Sequence, residues 1–293
     1  MSIFEAIIMG LIQGLTEFLP VSSSGHLALF KILFGIESET GLFFDILLHV
    51  GTLCAIFIAF YKDIFAMLRQ GFALVFDVIC NFFIFIINIF SKDKKCYRKV
   101  INNSYRKFVL LVLVSTIPTA IIGLLFDDYI EQASTILIVP AVCLIVTGIL
   151  LFISDKITNT YKTPKTTSTG NALFIGICQG FATLPGLSRS GTTITACLAC
   201  GFNRKYAVKY SFIMSIPAIL GAAILEIKDV AISEIPTNEI INYLVGMVVA
   251  AVVGFICIKA MLLIVRKQKF KFFSIYCICV GLLSIVIYLM GLV

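Results

Sequence analysis

Charged residues are scarce in this chain. Only 13% of its 293 residues are Asp, Glu, Lys or Arg, whereas 60% are hydrophobic; a soluble domain is about a quarter charged and about half apolar. Several runs approach or exceed the ~20 apolar residues that a helix needs to cross a bilayer. The composition therefore excludes an ordinary soluble domain. It predicts an all-α polytopic membrane protein, with a single integral membrane domain over residues 1–293.

Other familiar signals are missing. The first lysine is Lys31, so no basic region precedes the first apolar run and no cleaved signal peptide is expected. No GxxxxGK[ST] loop occurs, which argues against a kinase. Cys197 and Cys200 form a CxxC pair without a histidine or a second pair nearby. We interpret them as buried thiols that pack like small apolar side chains.

The net charge of +7 is attributed to lysines and arginines in cytoplasmic loops, and no nucleic-acid partner is expected. Six membrane-spanning helices are predicted, and the connections between them alternate between basic and acidic, which places every basic loop on one side. The predicted spans are 42–61, 108–127, 136–154, 210–226, 240–265 and 272–292.

Segment 72–90 is also long enough to cross a membrane, but both of its flanks are basic. If it crossed, those flanks would face opposite sides, contrary to the charge pattern. Asp77, Asn81 and Asn88 lie close to one helical face. We therefore expect a helix that lies in the cytoplasmic interface.

Two apolar stretches, 3–34 and 170–202, are interrupted near their middle by proline and glycine. In the charge scheme each stretch begins and ends on the same side of the membrane. This pattern predicts two re-entrant hairpins of broken helices, which a membrane tolerates only where they are buried in protein or line a wet cavity.

The two broken stretches repeat one motif. GLIQGLTEFLPVSSSG aligns with GICQGFATLPGLSRSG, and six identical positions, among them Gln13 and Gln179, stand 166 residues apart. A hairpin followed by three spans thus occurs twice, and the odd number of spans inverts the second copy. Inverted repeats with broken helices bind their substrates where the repeats meet. The repeats cover about 1–155 and about 170–293.

Ionisable residues are divided between the two copies. The first carries Glu17 and His26, and the second carries Arg189 in place of Ser23. Such groups are costly at membrane depth and indicate function. An arginine fork, serine hydroxyls and half-helix N-termini suit a phosphate. Glutamate can hold a divalent metal or act as a base, and histidine can move a proton. Gln13 shares a helix face with Glu17.

With these motifs, QGLTEFLPVSSSGH and LPGLSRSGTTI, the chain resembles the undecaprenyl-diphosphatases of the bacitracin-resistance type along essentially its whole length. The resemblance implies hydrolysis of undecaprenyl diphosphate to undecaprenyl phosphate and inorganic phosphate, with an active site that opens to the outer side of the bacterial plasma membrane. This reaction recycles the lipid carrier of peptidoglycan synthesis and confers bacitracin resistance. A divalent cation, Mg²⁺ or Ca²⁺, is the implied cofactor.

The resemblance also implies roles for individual residues. Glu17, together with Gln13, is the implied metal ligand. The sequence leaves open whether Ser23, His26 or water attacks phosphorus. The implied catalytic residues are Glu17, His26, Ser23 and Arg189, and the implied substrate-binding residues are Gln13, Ser22, Ser24, Ser188, Ser190 and Thr192.

A transporter or flippase of a polyprenyl phosphate lipid is an alternative, because inverted repeats and broken helices predict that architecture equally well. A transporter needs binding groups, but it does not need a carboxylate and a histidine beside a serine run in one copy only. This asymmetry favours an enzyme over a transporter. The expected partners are a polyprenyl diphosphate lipid and the bilayer, with a homodimer left open.

Overall fold

The computed structural model describes residues 1–34, 41–227, 237–266 and 269–290. Those residues form twelve α-helices and no β-strand, in agreement with the predicted all-α class. The helices are α1 Ile3–Phe18, α2 Ser23–Phe34, α3 Gly41–Ala59, α4 Tyr61–Phe90, α5 Ser104–Leu125, α6 Asp127–Thr135, α7 Ile138–Lys156, α8 Thr169–Phe181, α9 Arg189–Ala199, α10 Arg204–Glu226, α11 Thr237–Arg266 and α12 Lys271–Leu289.

Each of the six predicted spans is a helix, namely α3, α5, α7, α10, α11 and α12. Among the described residues six helices are long and apolar enough to cross a membrane, and these include α4 but not α3, whose apolar part 43–59 is shorter. Packing favours the predicted assignment for α3, because Leu48, Ala55 and Ile56 are fully buried against its neighbours. A count by hydropathy alone therefore gives six helices but selects a different set.

Two helices differ from the sequence prediction in extent. The helix predicted over 72–90 begins at Tyr61. The acidic connection between the predicted spans 108–127 and 136–154 forms a helix, α6, with Asp127 and Asp128 in its first turn. Acidic side chains there interact favourably with the helix dipole, which helps this short helix to form outside the apolar runs.

The first broken stretch forms the hairpin α1–α2, which begins and ends at one end of the helix bundle. The Met1 amine pairs with Glu239 of α11 at 3.1 Å, and Lys31 of α2 pairs with Asp45 of α3. The N-terminal parts of α3 and α11 lie side by side, since the ring centroids of Phe44 and Tyr243 are 5.0 Å apart. We call this the acidic end, after the predicted connections beside it.

The second hairpin, α8–α9, begins and ends at the other end of the bundle, which we call the basic end. The Asn203 amide, just after α9, donates to the Lys162 carbonyl at 2.9 Å, and Lys162 precedes α8 by only a few residues. Lys107, near the start of α5, donates to the Lys165 carbonyl at 2.6 Å. The two hairpins thus enter the bundle from opposite ends, while their depth in a bilayer stays a prediction.

The two repeats exchange equivalent contacts. Helix α1 packs on α11 of the second repeat, and α8 packs on α5 of the first. A Cβ at Gly10 would lie 2.5 Å from the Gly246 carbonyl oxygen, and one at the aligned Gly176 would lie 2.1 Å from that of Ser115. Small residues allow such close helix packing in membranes. The aligned glycines therefore serve the same purpose in both copies, as expected for an inverted repeat.

The tips of the hairpins meet in the middle of the bundle. A Cβ at Gly25, in the first turn of α2, would lie 2.8 Å from the Cα of Gly186, which has φ +88° in the turn before α9. The hydroxyl of Ser190 donates to the Leu19 carbonyl at 3.3 Å. Residues from both motifs are therefore brought into one place, as the repeat predicted.

We predict that Gly176→Ala destabilises the protein. The added methyl must push α8 away from α5, and overpacking of this kind costs about 1–3 kcal/mol. The matched control is Gly123→Ala on α5, where a Cβ meets nothing within 4 Å and alanine favours the helix. Thermal unfolding in detergent should give a lower midpoint for Gly176→Ala only. Equal midpoints would show that the α5–α8 contact adapts freely.

Candidate active site

The carboxylate of Glu17 is the centre of a hydrogen-bond network where the two hairpins meet. Its side chain is 4% exposed and pairs with the guanidinium of Arg189. It also accepts hydrogen bonds from Gln13 Nε2 at 3.2 Å and from Ser23 Oγ at 2.6 Å. Four predicted site residues from both repeats are therefore in direct contact.

The backbone break after α1 places these groups. Glu17 is in the last turn of α1 with Gln13 one turn before it, so both side chains lie on one face. Pro20 lies in the turn that ends α1, and Ser22 has φ +70°, a left-handed conformation that costs a non-glycine residue energy. The turn directs Ser23, the first residue of α2, back towards the carboxylate.

A serine caps each half-helix that starts at the tips. Ser22 Oγ accepts from the Gly25 amide at 3.2 Å, and Ser188 Oγ accepts from the Gly191 amide at 3.1 Å. In addition, the Ser188 amide donates to Thr147 Oγ1 of α7 at 2.9 Å. These bonds hold the N-terminus of α9, so that Arg189, its first residue, extends towards Glu17.

His26 lies beside this network and has its own partners. Its Nδ1 lies 2.7 Å from the Ser22 carbonyl oxygen, and its Nε2 lies 2.8 Å from the Tyr276 hydroxyl of α12. A carbonyl oxygen only accepts, so the neutral ring carries its proton on Nδ1 and Nε2 accepts from Tyr276. The two rings are nearly parallel, with centroids 5.6 Å apart.

A narrow cavity adjoins the ion pair on the side of α10. Ser211 and Ser215 of α10 help to line it, and Thr193 and Ser211 share a 2.6 Å hydrogen bond. The residues that line the cavity are Glu17, Phe18, Arg189, Ser190, Ser211, Phe212 and Ser215. The site therefore has a polar wall that neither motif contains.

The comparisons with known proteins show the family of the chain. The model of the family "Bacitracin resistance protein BacA" matches residues 6–283. The chain belongs to this family. Among its relatives, proteins named undecaprenyl-diphosphatase from Methanosphaera stadtmanae, Alkaliphilus metalliredigens and Halothermothrix orenii are 38%, 39% and 39% identical to it. Each alignment covers 98% of both chains.

Within this BacA-family chain, the remaining predicted site residues differ in their surroundings. Ser190 lines the cavity. Ser24 is exposed, and its Oγ lies 3.3 Å from Ser22 Oγ. Thr192 is buried and its Oγ1 has no hydrogen-bond partner among the described residues. The catalytic and binding roles assigned from sequence stay predictions.

Three residues at the site were not predicted from the sequence, namely Tyr276, Ser211 and Ser215. Tyrosine is common at membrane interfaces, and a serine in an apolar helix usually bonds back to its own backbone, as Ser215 does to the Phe212 carbonyl at 2.8 Å. Neither a tyrosine near a membrane interface nor a serine in an apolar helix can be assigned to the site from the sequence alone. A tyrosine that contacts His26 from 250 positions away leaves no local signal in a single sequence.

A divalent cation fits this BacA-family site only together with other ligands. No group of three or more His, Cys, Asp or Glu side chains in the described part of the chain is arranged to hold a metal ion. However, the Oε1 atom of Gln13 is buried without a partner and lies on the same side chain that contacts Glu17. Magnesium is commonly held by one or two carboxylates plus phosphate oxygens and water. Gln13 and Glu17 are therefore enough as protein ligands if the substrate and water supply the others.

Proposed function

We propose that this protein hydrolyses undecaprenyl diphosphate to undecaprenyl phosphate and inorganic phosphate. The names of its relatives support the reaction, and the observation that carries the site is the contact of the buried Glu17 carboxylate with Ser23 and Arg189. The reaction recycles the lipid carrier of peptidoglycan synthesis and would confer resistance to bacitracin. We place the protein in the bacterial plasma membrane, with the basic end in the cytoplasm and the site open to the outer side.

Substrate binding would exchange the partner of Arg189. The guanidinium faces the Glu17 carboxylate, and a diphosphate offers the same planar fork two oxygens. A phosphate bound to Arg189 would therefore release Glu17. The N-terminus of α9, with its positive dipole end, would add to the attraction for the anion.

Ser23 is the nucleophile that the geometry favours. Its hydroxyl already donates to the Glu17 carboxylate at 2.6 Å, the arrangement of a nucleophile and its general base. Ser23 Oγ would bond to the terminal phosphorus while its proton passes to Glu17. The bond from this phosphorus to the bridging oxygen would break, with undecaprenyl phosphate as the leaving group. Water would then release inorganic phosphate from Ser23.

His26 is less suited to attack phosphorus in this arrangement, because its Nε2 lone pair accepts from Tyr276. Its position next to Ser22 and Ser23 suits proton exchange with the departing phosphate. Gln13 and Glu17 would hold a divalent cation, Mg²⁺ or Ca²⁺. The cation, when bound, would neutralise charge on the diphosphate oxygens.

Transport of a polyprenyl phosphate lipid is a second candidate. The reciprocal packing of α1 on α11 and of α8 on α5 is the arrangement of inverted-repeat transporters. Ser23 and Glu17, already hydrogen-bonded, are needed for hydrolysis but not for transport. Phosphate release by purified protein in detergent, where no bilayer separates two compartments, would therefore support the phosphatase and not the transporter.

We predict that Glu17→Gln abolishes most phosphate release from a prenyl diphosphate. The amide keeps the shape but cannot take the proton of Ser23, and general base catalysis contributes about 10²–10⁴-fold. Glu5→Gln is the control on the same helix, because Glu5 only caps the start of α1 with Ser2. Near-normal turnover by folded Glu17→Gln protein would remove Glu17 from the mechanism.

We predict that Arg189→Lys lowers kcat/KM by about tenfold to a hundredfold, since lysine keeps the charge but loses the fork. A hydrogen bond to a charged group contributes about 1.5–3 kcal/mol, and ~1.4 kcal/mol is tenfold in rate. Arg189→Ala should lose more. Arg69→Lys, at an exposed position of α4, is the control. Wild-type kinetics in Arg189→Lys would contradict bidentate binding.

We predict that Tyr276→Phe lowers kcat by about two- to tenfold and changes the pH profile, because the ring remains but His26 loses the hydrogen bond to Nε2. Tyr288→Phe, at an exposed position of the same helix, should behave like the wild type. A reduced rate with an unchanged pH profile would mean that Tyr276 only packs against the site.

A further inference from the structure

Helix α4 crosses the beginning of α5 and does not run alongside it. Asp63 accepts from the Tyr105 hydroxyl at 3.0 Å, and Asp77 accepts from Arg106 at 2.6 Å. These contacts span about 21 Å of α4 at 1.5 Å per residue but involve neighbouring residues in the first turn of α5. None of residues 78–90 in the rest of α4 is buried, and Ile64 is the one buried residue of the helix.

The segment after α4 returns along its polar face in a fixed register. The side-chain amide of Asn81 exchanges two hydrogen bonds with the backbone of Arg98, at 2.7 and 2.9 Å. Asn88 does the same with Lys95, also at 2.7 and 2.9 Å. Seven residues of helix rise about 10.5 Å, and three residues of extended chain cover about 10 Å. The two asparagines therefore match the spacing of the extended segment.

Opposite faces of α4 have opposite chemistry. At 100° per residue the acidic and amide residues form one ridge, and five of the seven phenylalanines of α4 form a line on the other side. Two of these rings, Phe72 and Phe90, are 76% and 86% exposed. The ridge consists of Asp63, Gln70, Asp77, Asn81 and Asn88, and the line consists of Phe65, Phe72, Phe76, Phe83 and Phe90.

The register of the segment after α4 argues against α4 as a transmembrane helix. Lys95 lies beside Asn88 and Arg98 beside Asn81, so a spanning α4 would carry the basic segment into the hydrocarbon. Arg98 pairs with Asp77 at 3.2 Å, but charged lysines at that depth would be costly. A helix in the interface keeps the phenylalanines in lipid and the basic segment near the headgroups.

Four lysines of this segment are free to bind a partner. They are exposed, and none makes an ion pair with any residue that the structure describes. Asp93 is the one acid among them. The lysines are Lys92, Lys94, Lys95 and Lys99.

We propose that residues 72–103 form a surface element that lies on the membrane at the basic end and binds anionic phospholipid headgroups. The exposed phenylalanine line on the same element favours a bilayer over a soluble acidic partner, because that line would otherwise remain in water. Lysines at a membrane surface attract anionic lipids by charge complementarity. The proposal is independent of the catalytic function.

The experiment uses the full-length protein with Cys96 as its sole cysteine, labelled with a fluorophore and reconstituted into phosphatidylcholine bilayers. Spin-labelled phosphatidylglycerol or spin-labelled phosphatidylcholine is then added as quencher. We expect quenching by both and a preference for phosphatidylglycerol of at least about fivefold at low salt, which 1 M salt should largely abolish. Equal quenching by both lipids, or quenching by neither, would overturn the proposal.

Two double variants test whether the lysines of the surface element cause the preference for phosphatidylglycerol. Lys94→Gln with Lys99→Gln should reduce it several-fold, whereas Lys165→Gln with Lys205→Gln, which removes two exposed lysines elsewhere at the basic end, should leave it unchanged. An equal reduction in both pairs would contradict a site on the surface element.

Topology is tested with an impermeant thiol reagent. A cysteine at Lys62, before the surface element, and Cys96, within it, should react from the same side of the membrane. Reaction from opposite sides would show that α4 crosses and would refute the proposal. Replacement of Asn81 and Asn88 by leucine should speed hydrogen exchange at the Lys95 and Arg98 amides; unchanged exchange would refute the paired register.

Discussion

The ion pair between the buried carboxylate of Glu17 and the partly exposed guanidinium of Arg189 is the interaction on which the arrangement of the site depends. Each charge stands at a break in its helix, and a buried charge without a partner costs several kcal/mol. The two hairpins must therefore meet tip to tip. A side chain at Gly25 would collide with the backbone of Gly186, and one at Gly186 would collide with the backbone of Pro140 in α7. The contact that aligns the charges is therefore built from backbone and is correspondingly stiff.

The same pair would give the site a preference for an anion. While Arg189 and Glu17 neutralise one another, neither is available for chemistry. A neutral lipid has no anion that could replace Glu17 as the partner of Arg189. A diphosphate could bind the Arg189 guanidinium and leave the Glu17 carboxylate hydrogen-bonded to Ser23. Binding would then activate the base in the same step. An apolar wall, formed in part by Phe18 and Phe212, strengthens these electrostatic effects by excluding water.

The sequence was sufficient for the repeat, the broken helices and the meeting of Glu17 with Arg189, because proline, glycine and aligned motifs are local signals. It was insufficient where partners come from distant elements. Tyr276 reaches His26 from α12, and nothing in the tyrosine's own neighbourhood indicates this contact. The polar stripe of α4 could be recognised in the sequence. Its partner could not, because the stripe binds backbone atoms of residues 95–98, and a backbone contact leaves no pattern of side chains.

The asymmetry of the two motifs follows from the way in which the repeats meet. Two glutamates or two arginines at the tips would place like charges together in a buried site, which disfavours ionisation of both. One copy must therefore supply the anion and the other the cation. Accordingly, Thr183, which is aligned with Glu17, donates to its own helix at the Gly180 carbonyl, 2.6 Å away. The helical framework is therefore duplicated, whereas the charged residues at the tips differ between the two copies.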